Sequence, residues 1–391
     1  MQKEEIVMKK EILELREELI RLRRDFHAHP EPGFEEYRTA QIVENCLKDL
    51  GLDVSRCAGT GVVGLLRGKE EGKTVMLRAD IDALPVTEET GLPFQSERPG
   101  VMHACGHDGH TAMLLTAAKI LTRHRERIRG NIKFVFQPNE EDAGAQAMID
   151  EGVLERPRVD SVLGLHLWSH LETGMIGVAP GPVMASSYYF RLSLHGKGGH
   201  GGAPHEAINP IGAAAAVIEA SKSLTSGELN VLEPTLLTIC KISAGTKATI
   251  IPETLEMEGS LRCLHNGTEA VQESFRKKIA HICGAYRTTF DLDFKCGNNV
   301  LSNDPEMTNL AVRSAEETAG RENVTDKNLR TMLGDDFAEF SRLVPGVYCF
   351  VGTANQGKGT NYPHHHPKFN IDEDSLPIGV ELQVRLALAA L

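Results

Sequence analysis

The sequence lacks the features that mark membrane, secreted and nucleic-acid-binding proteins. Aromatic residues make up 5% of the 391 residues, and no apolar run reaches the roughly 18 residues that a membrane-spanning helix needs. The opening segment, MQKEEIVMKK, lacks the apolar core of a signal peptide. A net charge of -12 argues against nucleic acid or an anionic membrane as a partner. We therefore expect a cytoplasmic protein.

Cysteine framework spacing and two common catalytic motifs are also missing. The eight cysteines are scattered along the chain, which favours reduced thiols over disulfides. There is no Gly-x-Ser-x-Gly nucleophile elbow, so a serine hydrolase is unsupported. The glycine-rich segment 196–199 lacks the spacing and the Ser/Thr of a phosphate-binding loop.

What remains is the composition of an ordinary soluble globular protein, large enough for two domains, whose predicted strands and helices are those of an α/β fold. An apolar stripe from Met8 to Phe26 predicts an N-terminal helix that packs on a core, and a second helix is predicted over residues 36–50. Strands are predicted at 61–66, 74–79, 131–136 and 159–165, with a helix at 111–121. Residues 187–294 read as β-α-β-β-α-β, which is the ferredoxin-like order. We predict one domain from residues 1–182 and 298–391, with residues 183–297 inserted as an α+β domain.

Metal-ligating residue types recur where the predicted strands end. Residues 102–110 contain one thiol, three imidazoles and one carboxylate, and Cys105 and His107 form a Cys-x-His pair. Each feature has an ordinary alternative: a buried structural thiol, a solvated acidic run, or a structural histidine. Four successive strand ends with such donors nevertheless favour one shared metal site. The other ends carry Asp80 and Asp82, Glu140 to Asp142, and His166.

Six motifs then occur in register over nearly the whole chain: RADIDALP (78–85), HACGHDGH (103–110), QPNEED (137–142), GLHLW (164–168), GKGGHGGAPH (196–205) and YPHHHPKF (362–369). Together they resemble the M20 family of metallo-amidohydrolases. The similar branch contains aminoacylases, hippurate hydrolases, auxin-conjugate hydrolases and N-acetyldiaminopimelate deacetylases. The resemblance implies a mixed, mainly parallel sheet flanked by helices, as in zinc peptidases, and an inserted lid or dimerisation domain.

The resemblance also implies roles for individual residues. Glu140 matches the general base, and His200 matches the histidine that polarises the scissile carbonyl, often from a neighbouring subunit. Asp82 and His103 resemble groups that orient ligands or the base. The last metal ligand matches His365, with the flanking His364 and His366 as alternatives. The implied metal ligands are Cys105, His107, Glu141, His166 and His365.

The implied cofactor is a pair of divalent ions, manganese or zinc, with cobalt and nickel as alternatives. The expected reaction is deacylation of N-acyl-L-amino acids. The alternatives are a metallocarboxypeptidase, a dedicated N-acetyldiaminopimelate deacetylase or a non-catalytic metal-binding protein. Arg262 and Asn209 are candidates to bind the substrate carboxylate, although Arg262 could equally be an exposed structural arginine. The edge of the inserted sheet could pair across a two-fold axis, so we expect a homodimer or homotetramer.

Overall fold

A computed structural model describes residues 2–391, with side chains from residue 9 onward. The chain divides into two compact units. The first unit comprises the chain up to Gly181 together with Ser302–Leu329 and Asp335–Leu391. The second comprises Pro182–Leu301 and the short segment Arg330–Gly334.

The strands, in chain order, are β1 Asp53–Cys57, β2 Gly61–Arg67, β3 Glu70–Asp80, β4 Arg129–Gln137, β5 Ser161–Glu172, β6 Ile176–Gly177, β7 Gly181–Met184, β8 Ser186–His195, β9 Gly199–His200, β10 Thr235–Ala244, β11 Ile250–Ile251, β12 Thr254–Cys263, β13 Thr289–Asn298, β14 Leu301–Asn303, β15 Val324–Thr325 and β16 Gly346–Ala354. The helices are α1 Gln2–Ala28, α2 Tyr37–Asp49, α3 His107–Arg123, α4 Ala145–Asp150, α5 Pro210–Ser223, α6 Thr268–Tyr286, α7 Pro305–Ala319, α8 Phe337–Leu343 and α9 Ser375–Ala390. Within residues 2–391, no helix combines the length and the apolarity that crossing a membrane requires.

The first unit is built on an eight-stranded sheet in the order β1-β2-β4-β3-β5-β16-β6-β15. Its four central strands, β4, β3, β5 and β16, run parallel to one another. β1 pairs antiparallel with β2, and β2 pairs antiparallel with β4. The prediction of a mainly parallel sheet is confirmed. Because parallel strands end at the same edge, residues that follow them are brought together there.

Helices α1, α3 and α9 contact one another beside this sheet. The stripe predicted from the sequence is buried in α1, at Ile12, Leu15, Leu19 and Phe26. Almost every residue of α3 is buried, so that helix is enclosed between the sheet and its neighbouring helices. A helix buried all round cannot show a single apolar face, which explains why the sequence located only its middle.

The second unit contains a four-stranded antiparallel sheet in the order β10-β12-β8-β13. Its core is formed where α5 and α6 pack on the sheet, around Leu192, Val217, Met257 and Phe275. The observed succession β8-α5-β10-β12-α6-β13 has the predicted β-α-β-β-α-β order.

Three local differences from the sequence-based prediction have physical causes. β1 was not predicted, because it is a largely exposed edge strand without apolar alternation. α3 starts at His107, four residues earlier than predicted, and therefore includes part of the histidine motif. β5 continues through His166 to Glu172, because its later residues pair with β16, as far as Ala354 opposite Glu172.

Gly164 in β5 provides a test of core packing. A Cβ atom at this position would lie 2.6 Å from the Tyr348 ring and 2.9 Å from the Phe337 ring. We expect Gly164→Ala to lower the free energy of unfolding by about 1–3 kcal/mol through overpacking, measured by urea denaturation. Gly284→Ala is the control, because nothing lies within 4 Å of its added Cβ on α6. That helix substitution should be neutral or stabilising, and equal effects of the two variants would contradict the packing explanation.

Candidate metal and catalytic site

The candidate site lies in the first unit, at the edge where the parallel strands end. β3 ends at Asp80, and a short 3₁₀ turn, Glu140–Asp142, follows β4. His166 projects from β5, and His107 is the first residue of α3. The buried framework of sheet and helix therefore fixes the positions of donors that are distant in the sequence.

All five residues predicted as metal ligands come together in overlapping groups. Within each group, the ligand atoms lie within 4.8 Å of one another. Cys105 Sγ is 3.4 Å from His166 Nε2, and His365 Nε2 is 3.2 Å from Glu141 Oε1. The groups are Cys105-His107-His166, Cys105-Glu141-His365 and His107-Glu140-Glu141. Because the first two of these groups share Cys105, and the first and third share His107, the donors form one continuous cluster.

Hydrogen bonds determine which nitrogen of each buried histidine faces this cluster. His166 Nδ1 lies 2.7 Å from the Leu167 carbonyl oxygen, so Nδ1 donates and Nε2 carries the lone pair near Cys105. His107 Nδ1 donates in the same way to the main-chain oxygen of Asp82, at 2.9 Å. Both Nε2 atoms therefore face the cluster, and each can accept a cation when its imidazole is neutral.

The three consecutive histidines of the C-terminal motif have different surroundings. His364 Nε2 lies 3.0 Å from the Leu167 carbonyl, to which it donates. His366 Nδ1 accepts a hydrogen bond from the Lys368 N–H at 3.0 Å. Of the three, His365 is the one grouped with Cys105 and Glu141.

The donor atoms of the cluster fit a divalent cation. His107 Nε2 and Glu141 Oε1 are buried and have no hydrogen-bond partner among the described residues; the 3.2 Å contact of Glu141 Oε1 with His365 Nε2 joins two of the predicted ligands. Burial, and then the nearby carboxylates of Glu141 and Glu140, raise the pKa of the Cys105 thiol well above its usual value. Buried polar atoms are normally satisfied, and a cation would satisfy these and compensate the crowded anionic groups.

Asp82, predicted to orient other groups, contacts two parts of the cluster. Its Oδ1 is 3.2 Å from His107 Nδ1, and its Oδ2 accepts a hydrogen bond from the Glu141 N–H at 3.1 Å. One carboxylate therefore fixes both an imidazole and the backbone of the glutamate pair. His103 is also buried, but neither of its ring nitrogens has a partner among the described residues.

The sequence analysis missed a buried network beneath the cluster. Arg78 donates to Asp80 Oδ2 at 2.6 Å, to Asp336 Oδ1 at 3.0 Å and to the Gln137 side chain at 2.8 Å. His110 Nδ1 lies 2.6 Å from Asp80 Oδ1, and its Nε2 accepts the Leu167 N–H. His110 follows His107 by three residues, which places both on one face of a helix, and this spacing could have indicated that His110 belongs to the network.

Glu140 lies against two aspartates of this network. Carboxylate oxygens of Glu140, Asp335 and Asp336 lie within 4.8 Å of one another. Burial, and then the negative charge of Asp335, raise the pKa of Glu140 well above its usual value. Burial also raises the pKa of Asp336 to about 8, although Arg78 opposes this shift. The environment therefore increases the proton affinity of these carboxylates, a shift that is common at catalytic sites.

The three other predicted residues belong to the second unit. His200 is exposed on β9, and its Nδ1 accepts the Gly202 N–H. Arg262 donates to the Met332 carbonyl oxygen at 3.0 Å, and the Asn209 side chain caps α5 by accepting the Ile211 N–H. These contacts give Arg262 and Asn209 local structural functions, and their substrate-binding functions remain predictions.

The pKa shifts predict how cation binding depends on pH. Burial raises the pKa of Cys105; in His107, burial is outweighed by the Asp80 and Asp82 carboxylates, and the pKa rises to about 10. Both groups are protonated at neutral pH and must release their protons to bind a cation. Affinity for Zn²⁺ should therefore increase with pH between about pH 6 and pH 8, by up to roughly 100-fold per unit for two protons.

This pH dependence can be measured by competition with a chromogenic chelator. Cys105→Ser should reduce the slope by about one proton, because a serine hydroxyl stays protonated over this range. Cys46→Ser is the control, since Cys46 lies outside the cluster. An affinity that does not change with pH would show that these groups do not bind the cation.

Comparisons with known proteins agree with this geometry. Residues 76–389 match Peptidase family M20/M25/M40. The chain is 39% identical to thermostable carboxypeptidase 1 of Saccharolobus solfataricus, over 97% of each chain. It is 40% identical to N-acyl-L-amino acid amidohydrolase of Geobacillus stearothermophilus, over 85% of this chain and 91% of that protein.

A solved structure extends the similarity to the three-dimensional level. It is a Bacillus subtilis protein described as a dinuclear metal-binding peptidase of the M20 family. The TM-score is 0.84 at 32% sequence identity, and the match covers 96% of this chain and 98% of that one. The chain therefore belongs to Peptidase family M20/M25/M40, as its motifs had predicted, and is a hydrolytic enzyme.

Proposed function

We propose that this enzyme is a dinuclear metal-dependent amidohydrolase that removes the acyl group from N-acyl-L-amino acids. The observation that carries the proposal is the cluster of buried donors in which His107 Nε2 and Glu141 Oε1 have no described hydrogen-bond partner. The name of the Geobacillus stearothermophilus relative supports the substrate class. A non-catalytic metal-binding protein is the weaker alternative, because Glu140 accompanies the full ligand set.

Five residues would hold the two ions: Cys105, His107, Glu141, His166 and His365. Cys105 belongs to two of the groups, so its thiolate would help to hold a cation in either of them. A mixed sulfur, nitrogen and oxygen set suits zinc or manganese, and cobalt and nickel are also compatible. When bound, the ions lower the pKa of water and polarise the substrate carbonyl.

Glu140 would move the proton during hydrolysis. An amide nitrogen is a poor leaving group, so it must be protonated as the C–N bond breaks. The carboxylate of Glu140 takes a proton from the attacking water and delivers it to that nitrogen. The raised pKa of Glu140 supports this function, because it strengthens the hold of the carboxyl group on the proton before delivery to the nitrogen.

The remaining predicted residues have supporting functions in the proposal. Asp82 orients His107 and the backbone of Glu141 through the contacts described above. His200 donates to the oxygen that gains negative charge, a contribution of about 3 kcal/mol by comparison with other oxyanion donors. Arg262 and Asn209 bind the substrate carboxylate. The cytoplasmic location and a homodimer or homotetramer formed through the second unit are also part of the proposal.

A metallocarboxypeptidase is the second candidate, because the Saccharolobus solfataricus relative carries that name. Both activities hydrolyse an amide bond, and they differ in the group on the carbonyl side of that bond. An acyl group is uncharged, whereas the α-amino group of a dipeptide is a cation that two bound metal ions would repel. A dedicated N-acetyldiaminopimelate deacetylase would differ again, by accepting one acyl-amino acid only.

Glu140→Gln tests the proton-transfer function. The amide keeps the shape of Glu140 but cannot carry the proton, so we expect kcat to fall by roughly 10²–10⁴-fold. The variant should still bind two ions per subunit by elemental analysis. Asp142→Asn is the matched control, because Asp142 is the exposed acid in the same turn. Near-normal turnover by Glu140→Gln would remove Glu140 from this function.

A substrate panel separates the candidate activities. It should contain N-acetyl and N-benzoyl amino acids, N-acetyldiaminopimelate and dipeptides with free amino groups, each assayed after Mn²⁺ or Zn²⁺ is restored to the chelated enzyme. We expect kcat/KM to be at least about tenfold higher for several N-acyl amino acids than for the dipeptides, because of the charge repulsion. Faster cleavage of dipeptides would favour the carboxypeptidase, and activity confined to N-acetyldiaminopimelate would favour the dedicated deacetylase.

A further inference from the structure

A cavity of about 310 Å³ lies in the first unit beside β1 and β2. It is lined by residues from these two strands, by Lys133 on β4, and by residues 151–156 in the turn that follows α4. None of the residues in the metal cluster lines it. The proposed hydrolysis therefore does not explain this cavity.

The unusual feature of this cavity is a buried cation. Lys133 is 2% exposed, and its ammonium nitrogen donates to the carbonyl oxygens of Val153, at 2.7 Å, and Glu155, at 2.5 Å. An ammonium group has three N–H donors, so one remains available. No carboxylate among the described residues lies within 4 Å of this nitrogen to form an ion pair. Burial lowers its pKa to about 8, as expected for a cation without an adjacent anion, although Glu155 and Cys57 partly oppose the shift.

Arg156 adds a second cation at the edge of the same cavity. It is exposed and forms no ion pair with any described carboxylate.

The other charged groups of the lining are largely occupied. Arg56 pairs with Glu44, and Arg67 pairs with Asp53. The Glu151 carboxylate accepts the Ala58 N–H at 2.8 Å. Lys133 and Arg156 are therefore the cations that lack a carboxylate partner.

Asp53, Glu151 and Glu155 are the exposed carboxylates of the lining, and Asp53 and Glu151 have the partners given above. Glu155 lies next to Arg156 in the turn, and its charge, which raises the pKa of Lys133, opposes a bound anion. The lining as a whole still carries four cationic and three anionic side chains.

We propose that this cavity binds a small anion through carboxylate or phosphate oxygens, held between the buried Lys133 ammonium and the Arg156 guanidinium. Buried charges in proteins are normally paired, and an anion would accept a hydrogen bond from the third N–H of the Lys133 ammonium group. Arginine supplies a planar pair of donors that matches either a carboxylate or a phosphate. The cavity has no residue in common with the proposed hydrolytic site, so it serves as a separate ligand site.

Calorimetric titration of the metal-loaded enzyme with succinate and with inorganic phosphate tests this proposal, with ionic strength held constant by KCl. Saturable binding of succinate alone identifies a carboxylate ligand, and binding of phosphate alone identifies a phosphate ligand. Either anion could also bind the metal ions, so the variants below decide where binding occurs.

Three substitutions and one control locate the site. Arg156→Gln should raise the Kd about fivefold, and Lys133→Met should abolish saturable binding. Glu155→Gln should lower the Kd, because it removes the opposing charge. Arg158→Gln is the matched control, since Arg158 is an exposed arginine two residues away that does not line the cavity.

Arg156 and Glu155 are exposed, so their variants remain informative even if Lys133→Met folds poorly. Opposite changes in Kd for Arg156→Gln and Glu155→Gln, with Arg158→Gln unchanged, would support the site. The proposal is overturned if neither anion binds saturably, or if Arg156→Gln and Arg158→Gln give the same Kd.

Discussion

The constraint on which this enzyme depends is the crowding of anionic and proton-binding groups at one edge of a parallel sheet. Glu140, Glu141, Asp335 and Asp336 lie there together with the Cys105 thiol. Such groups repel one another when ionised in a buried environment, and that repulsion must be compensated by protons or cations. The Arg78 guanidinium compensates the charges of Asp80 and Asp336 through hydrogen bonds. By contrast, His107 Nε2 and Glu141 Oε1 have no hydrogen-bond partner among the described residues.

Hydrogen bonds to the main chain complete this arrangement. The Leu167 carbonyl accepts from both His166 and His364, and the Asp82 carbonyl accepts from His107. In His166 and His107 the bonded atom is Nδ1, which leaves Nε2 facing the cluster. In His364 the bonded atom is Nε2. The backbone of the sheet thereby determines the direction of the imidazoles as well as their position, which is how outer groups tune a metal site. In the proposed function, the proton transfer needs one further carboxylate, that of Glu140.

Much of the fold could be predicted because its elements follow simple periodicities. The stripe of α1 and the β-α-β-β-α-β order of the second unit are both recognisable in the sequence. The prediction failed where burial removes the periodicity, as at the start of α3, or where exposure weakens it, as in β1. The candidate ligands were found because thiol, imidazole and carboxylate groups are rare together in such short motifs. Their partners were missed, because Asp336 and Arg78 are 258 residues apart and neither stands in a motif that suggests pairing.

The sequence by itself determined the chemical types available, their order along strand ends, and the family to which the chain belongs. Only the tertiary structure decided which atoms meet. It groups His365 rather than His364 with Cys105 and Glu141, because His364 is held by a carbonyl 197 residues away. It also places two aspartates against Glu140 and so raises its pKa. Side-chain direction and local charge arise from contacts between distant segments, and a linear pattern contains neither.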